Sequence, residues 1–187
     1  LTRIIRNSNL VNVASIGEDI VEQILPLDLL SSSILVQSLQ RYGQNERSLF
    51  SFLTSKDPYS LRSLGPLPNK FFHVESVYNY ISHNFFSFIN SKYNPDFSKW
   101  SAIKTSIEKI YGRFTDKVEE RAQVIKVIGL INIFGSKAAK SDKSFLSNYL
   151  EKALGITNAV KLIKELEDKN FIRYAKYANQ YILFDGT

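Results

Sequence analysis

The sequence contains no cysteine and no methionine, and it has only two histidines, His73 and His83. Without cysteine there are no disulfides, thiolate zinc sites, iron–sulfur ligation or cysteine nucleophiles. The histidines have no neighbouring carboxylate spacing that builds a metal site, and neither has a serine and an acid placed for a hydrolase triad. Both read as structural or surface residues. No long apolar run free of charge is present, which argues against a membrane-spanning helix, and the start shows no secretory signal pattern. A soluble, cytoplasmic protein with no membrane partner is expected. A glycine-rich phosphate loop is missing too. Gly17-Glu18-Asp19 is not followed by Lys-Ser/Thr, and no Asp-Glu pair follows a hydrophobic strand. Such a chain is not expected to cradle phosphates or to hydrolyse ATP by itself. The lack of methionine extends to position 1. The chain opens on Leu1 and closes on Phe184-Asp185-Gly186-Thr187 directly after an apparent strand. It reads as a fragment or a processed domain.

What is present is ample for folding. The chain has 187 residues, 44% hydrophobic and 22% charged, enough for one or two domains with a buried core. The net charge of +6 is spread thinly. Residues 1–64 hold six basic and six acidic side chains, residues 65–115 six and three, and residues 116–187 twelve and nine. No run of four Lys/Arg forms a basic tail. Weak, nonspecific nucleic-acid affinity is compatible with this balance, and so is an ordinary solvated surface.

The fold class expected is mainly α: a helical region followed by a winged-helix domain with a small C-terminal β-hairpin. Residues 1–112 form the helical, lid-like part and residues 113–187 the winged helix. Asp28 is placed to cap a helix through about Tyr42, with Leu29, Leu30, Ser33, Ile34, Val36, Ser38 and Leu39 on its apolar and small faces. Gly43 stops it. A short amphipathic helix follows, anchored by Leu49, Phe50, Phe52 and Leu53. Residues 54–70 carry the strongest loop signal. From Phe71 the helical period returns through Val74, Val77, Tyr78, Ile81, Phe85, Phe88 and Ile89. Trp100, Ile103, Ile107 and Ile110 mark the next helix. Residues 117–134 read as a long buried helix. Two more helices follow, one ending at Gly155 and one capped by Thr157. The strands 171–174 and 180–184 then close on a turn at Ala178-Asn179. Ile128, Leu146, Leu150, Val160, Ile163 and Tyr181 are expected in one core.

Candidate binding residues cluster in this second part. The helix 157–169 would be the recognition helix of a winged helix, and it carries Lys161, Lys164 and Lys169. It also carries Glu165, Glu167 and Asp168, which repel phosphate, so protein contact suits it better than sequence-specific DNA reading. On the hairpin, Arg173 and Lys176 interleave with Tyr174, Tyr177 and Tyr181. That pattern can stack a base and hold a backbone, or it can bury one strand face. Arg41 reads as a helix-surface cation.

Four motifs in order carry a resemblance. Gln44-Asn45-Glu46-Arg47-Ser48-Leu49-Phe50-Ser51-Phe52-Leu53 resembles a signature of large bacterial P-loop ATPases of the AAA+-like or STAND-like kind, several of them associated with anti-phage defence. Pro26-Leu27-Asp28-Leu29-Leu30-Ser31-Ser32-Ser33-Ile34-Leu35 resembles the stretch before it, with Asp28 and Leu29 where that family has His and Pro. Lys126-Val127-Ile128-Gly129-Leu130-Ile131-Asn132-Ile133-Phe134-Gly135 and the hairpin Arg173 to Gly186 resemble later segments, and Val77 to Ile81 and Lys99-Trp100 fit between them. The resemblance implies a regulatory or coupling segment, with ATP and Mg in the parent and no cofactor in this segment alone. Its partners would be the rest of the parent ATPase or neighbouring protein domains. It implies that Arg47 approaches the γ-phosphate, in cis as a sensor or in trans as an arginine finger, because a guanidinium is always charged and offers a planar fork of donors. Gln44 and Asn45 would then meet nucleotide or a neighbouring subunit, or else act as caps. The other reading is a free-standing winged-helix nucleic-acid-binding protein. No metal site is expected.

Overall fold

A computed structural model describes residues 1–10, 18–43, 46–65, 71–136 and 140–184, with backbone alone for residues 18–20, 46 and 47. Its helices are α1 (Thr2–Asn7), α2 (Glu18–Gln23), α3 (Leu29–Tyr42), α4 (Glu46–Thr54), α5 (Val74–Asn84), α6 (Phe86–Ile89), α7 (Phe97–Arg113), α8 (Val118–Phe134), α9 (Lys143–Leu154) and α10 (Ala159–Asp168). Strands β1 (Ile172–Ala175) and β2 (Gln180–Leu183) follow. The architecture is mainly helical, with a small antiparallel hairpin at the C-terminal end.

Local chemistry sets most of these boundaries. Asp28 caps α3, its Oδ1 accepting the Ser31 N–H at 2.8 Å. Asp142 does the same for α9 through the Phe145 N–H at 2.8 Å. Gly155 closes α9 at φ 71°, a left-handed position that costs glycine nothing. Thr157 does not cap α10: the N-cap is Asn158 at φ 58°, without a side-chain cap bond. Asparagine tolerates that backbone and threonine, being β-branched, does not.

The core is organised around α8, which is buried on nearly every side. It lies among α3, α5, α7, α10 and β2, so its sequence shows no polar face. Gly129 of α8 sits directly against Ile103 of α7, where a Cβ would overlap the isoleucine side chain. One apolar cluster runs from Ile5 through Leu183 and crosses residue 112 without a gap.

Four expectations are corrected here. Among the described side chains of α4 only Phe52 is buried, against the rings of Phe72 and Tyr80 at 5.1 and 4.9 Å. Leu49, Phe50 and Leu53 are exposed, Phe50 to 67%, because a nine-residue surface helix offers its neighbours a single stripe. Val160 is 48% exposed on the outer side of α10, whereas Ile128, Leu146, Leu150, Ile163 and Tyr181 are buried. In α3, Val36 is exposed and Ser33 only half-buried, since the helix packs through Leu29, Leu30, Ile34, Leu35, Ser38 and Leu39. The helix expected through Ile89 breaks at Phe85, and Phe88 is left exposed. Within 54–65 a short 3₁₀ turn forms at Leu61–Leu64, and 66–70 lie outside the described residues.

The hairpin pairs Ile172 with Leu183, Arg173 with Ile182 and Tyr174 with Tyr181. A further bridge joins Ser141, between α8 and α9, to Gln180, and the Tyr181 N–H donates to the Ser141 carbonyl at 3.1 Å. The order is therefore helix, short extended segment, two helices, hairpin.

Candidate functional site

Gln44 and Asn45 lie outside the described residues, and of Arg47 only the backbone, in the first turn of α4, is described. The residues beside that junction are defined. Arg41 is no free surface cation: its Nη1 donates to Asp96 Oδ2 at 2.7 Å, and its guanidinium lies 4.8 Å over the Phe134 ring. The Tyr42 hydroxyl donates to the same Asp96 oxygen at 2.7 Å and accepts the Trp100 indole N–H at 3.0 Å. Burial raises the Tyr42 phenol above its ordinary range, and Asp96 reinforces the shift, so it stays a donor. The C-terminal end of α3 is thus fastened to the start of α7 and the end of α8.

The other end of α3 is fastened through Asp28. Its Oδ2 accepts the Tyr149 hydroxyl at 2.7 Å, and that hydroxyl accepts the Val74 N–H at 3.1 Å. Ser31 Oγ donates to the Phe72 carbonyl at 2.7 Å. One buried node therefore joins α3, α5 and α9. Burial pushes the Asp28 carboxyl up to about 6, outweighing the Ser31 and Tyr149 hydrogen bonds that favour its charged form. Burial also raises the Tyr149 phenol, with the Asp28 charge adding to the effect. This pairing has no signal in the sequence beyond the capping position of Asp28.

A third polar cluster lies between α5 and α8. Lys126 Nζ donates to Glu75 Oε1 and to Asn79 Oδ1, each at 2.9 Å, and sits 5.4 Å over the Tyr78 ring. His73 Nδ1 lies 4.0 Å from Glu75 Oε2, and burial pushes its pKa down. His73 and Glu75 border a cleft of about 570 Å³ that also touches Ser76, Gln123 and Lys152. His83 is exposed, with the Tyr59 ring 5.6 Å away. Among the described residues no group of three His, Asp or Glu side chains is placed to hold a metal.

The four cations singled out in the C-terminal part do not converge. Lys161 and Lys164 are exposed on α10 and border a groove of about 640 Å³ shared with Asp116, Glu165 and Asp168. Arg121 of α8, its side chain only 4% exposed, forms a two-pronged pair with Glu165 at 3.0 and 3.1 Å. It also donates to the Asp116 carbonyl and stacks over Phe114 at 4.1 Å. Acids thus share this groove with its lysines. Arg173 shares a hairpin face with its partner Ile182, while Tyr174 and Tyr181 occupy the opposite face with their rings 5.3 Å apart. The Tyr181 hydroxyl donates to Glu167 of α10 at 3.5 Å, so the tyrosine face is the one turned to α10. Lys176 lies in the turn beside Tyr177, which is 87% exposed.

Compared with protein-family models, with curated proteins and with solved structures, the chain matches none. No helix among the described residues is long and apolar enough to cross a membrane.

Proposed function

We propose that this chain is a non-catalytic coupling segment of a larger P-loop ATPase of the AAA+-like or STAND-like kind, acting in the cytoplasm. It would carry movement at the α3–α4 junction to the three-helix and hairpin unit. The observation that supports this most directly is the double fastening of α3. Asp28 holds its first turn to Tyr149 of α9, and Tyr42 holds its last turn to Asp96 and Trp100 of α7. An element tied at both ends into a close-packed core passes a displacement on instead of absorbing it. The order of the four motifs around this helix supports the same reading.

The residues of this chain do not fit a nucleotide by themselves, because no glycine-rich loop is present to surround phosphates. ATP and Mg would belong to the parent. Arg47, with Gln44 and Asn45 before it, would meet that nucleotide from outside, where a guanidinium stabilises charge developing in the transition state. The partners would be the remaining domains of the parent.

The test is the complete reading frame that encodes this chain. It should contain a Walker A and a Walker B motif. In the protein it encodes, Arg47→Ala should lower ATP turnover sharply while nucleotide affinity changes much less, and Arg47→Lys should rescue only part. A reading frame without those motifs, or unchanged turnover in the alanine variant, overturns the proposal. The second reading, a free-standing winged-helix nucleic-acid-binding protein, draws on the Ser141 bridge to the hairpin and the exposed Lys176 and Tyr177 of the turn.

A further inference from the structure

The exposed side of α7 and the hairpin face that carries Arg173 enclose two adjoining hollows. One, of about 460 Å³, is walled by α7 residues Phe97 to Lys109 and by Phe184. The other, of about 260 Å³, is walled by Asn132 of α8 and by Gln180 and Ile182 of β2. Lys99 and Ala102 border both, so the two adjoin along α7 as one groove interrupted by the Lys99 side chain.

Its chemistry differs from that of the α10 groove. Among the described residues no Asp or Glu lines either hollow. Lys99 and Lys109 line it, and exposed Arg173 stands on the same sheet face as its pair Ile182, which walls the second hollow. Arg113, one turn beyond Lys109, stacks 5.6 Å over Phe171, whose carbonyl accepts the Phe184 N–H at 2.9 Å. It therefore marks the end of the groove at Phe184. Glu108 is exposed on α7 but does not line the hollows. Ser98, Ser101 and Thr105 add hydroxyl donors along the floor.

The walls are held in place. Lys99 Nζ donates to the Asn132 carbonyl at 3.2 Å, tying α7 to α8 across the groove. The Asn132 side chain donates to the Tyr181 carbonyl at 2.9 Å and accepts the Leu183 N–H at 3.4 Å, which clips the hairpin to α8. Phe97, 36% exposed, stands at the first residue of α7 and Phe184 toward the Arg113 end, so aromatic rings flank the groove.

We propose that this groove binds single-stranded nucleic acid, with Lys99, Lys109 and Arg173 on the phosphates and Phe97 and Phe184 as stacking faces. Among the described residues no acid lines the groove beside these cations, which attract a polyanion; hydroxyls donate to phosphate oxygens, and aromatic rings accept any base. A duplex fits poorly, because a groove this small has no room for a second strand and its rings need unstacked bases. The α10 face, where Glu165 and Asp168 stand beside the lysines, is not the binding surface. The inference does not depend on the coupling reading, since it concerns the 187-residue chain alone.

The test is fluorescence anisotropy of a labelled thymidine 20-mer with the 187-residue chain, titrated across salt concentrations. Micromolar binding at low salt is expected, with log affinity falling against log salt by about 0.7 per phosphate contacted, hence a slope near −2 for three cations. Lys109→Gln with Arg173→Gln should weaken binding about tenfold or more and reduce that slope by about 1.4. Phe97→Ala should weaken binding several-fold with the slope unchanged. Lys161→Gln with Lys164→Gln should stay within about twofold of wild type. Melting curves verify that each variant is folded; these lysines and Arg173 are exposed. No binding at low salt overturns the proposal, as does a loss in the α10 pair equal to that in the groove pair. Duplex bound as tightly as single strand, or polyglutamate competing as well as the oligonucleotide, also overturns it.

Discussion

Tyr149 donates its hydroxyl to Asp28 Oδ2 at 2.7 Å, joining residues 121 positions apart in the chain. The pair is fully enclosed, and the same hydroxyl satisfies the first N–H of α5. A helix cap thereby becomes a three-way junction. Its two titratable groups are both held toward their neutral forms by burial.

That junction makes stability depend on pH in a defined sense. The Asp28 carboxyl is raised from 3.8 to about 6 on folding, so the folded chain holds its proton more tightly than the unfolded one. The corresponding stability is fully present below about pH 4 and is lost as pH rises through 6, an effect on the order of 3 kcal/mol. Asp28→Asn cannot ionise. Urea denaturation from pH 4 to 7 should show wild type losing about 3 kcal/mol relative to this variant. Parallel curves for the two proteins would contradict the assignment.

Tyr149→Phe removes a bond that favours the ionised Asp28 and leaves the Val74 N–H without its partner. The cost should be about 1–3 kcal/mol near neutral pH. The pH at which stability falls should also move upward, because the phenol no longer supports the charged carboxylate. Denaturation midpoints of wild type and variant across the same pH range measure both effects.

Gly129 and Gly112 are both helical glycines, and alanine should act on them in opposite directions. At Gly129 a methyl group meets Ile103, and overpacking of about 1–3 kcal/mol should exceed the gain of up to ~1 kcal/mol in helix propensity. At Gly112 a Cβ meets nothing, so Gly112→Ala should stabilise by about 0.5–1 kcal/mol. Thermal midpoints moving down for the first and up for the second would check the close approach of α7 and α8.

Arg121→Ala should cost about 1–3 kcal/mol, since it removes the buried guanidinium shared by Glu165, the Asp116 carbonyl and Phe114, while Glu165, a third exposed, is left able to meet water. Glu165→Gln should cost less, because Asp116 and Phe114 remain. A double-mutant cycle by chemical denaturation gives the coupling, and a value near zero would make the pair incidental to the packing of α10 on α8.

The chain alone should give no single-site heat with Mg-ATP in calorimetry at tens of micromolar protein. The reason is the missing phosphate loop. Saturable micromolar binding with turnover above a protein-free control would contradict it.

Much of the fold was legible because its signals are local. Apolar spacing marked α3, α5, α7, α8, α9 and α10, Asp28, Gly43 and Gly155 marked ends, and the alternation after Asn170 marked the hairpin. One group of errors shares a cause. Leu49, Phe50, Leu53 and Val160 are apolar at plausible helical spacing, yet spacing does not say which stripe meets a neighbour. The α10 lysines stood out because they sit close together in sequence. The groove at α7 did not, since its walls come from α7, α8 and β2, which are far apart in sequence and meet only in the packed fold.

By itself, then, the sequence determined the helical class, the closing hairpin, the absence of thiol chemistry and the lack of a phosphate loop. These follow from residue type and short-range periodicity, which act within a few turns of chain. Tertiary structure decided that Arg41 pairs with Asp96, that Asp28 meets Tyr149, and that Glu165 is turned inward to Arg121. Those partners lie 44 to 121 residues apart. Their meeting is fixed by how helices pack around α8, and hydrophobic burial, being non-directional, leaves no mark of that packing in local sequence.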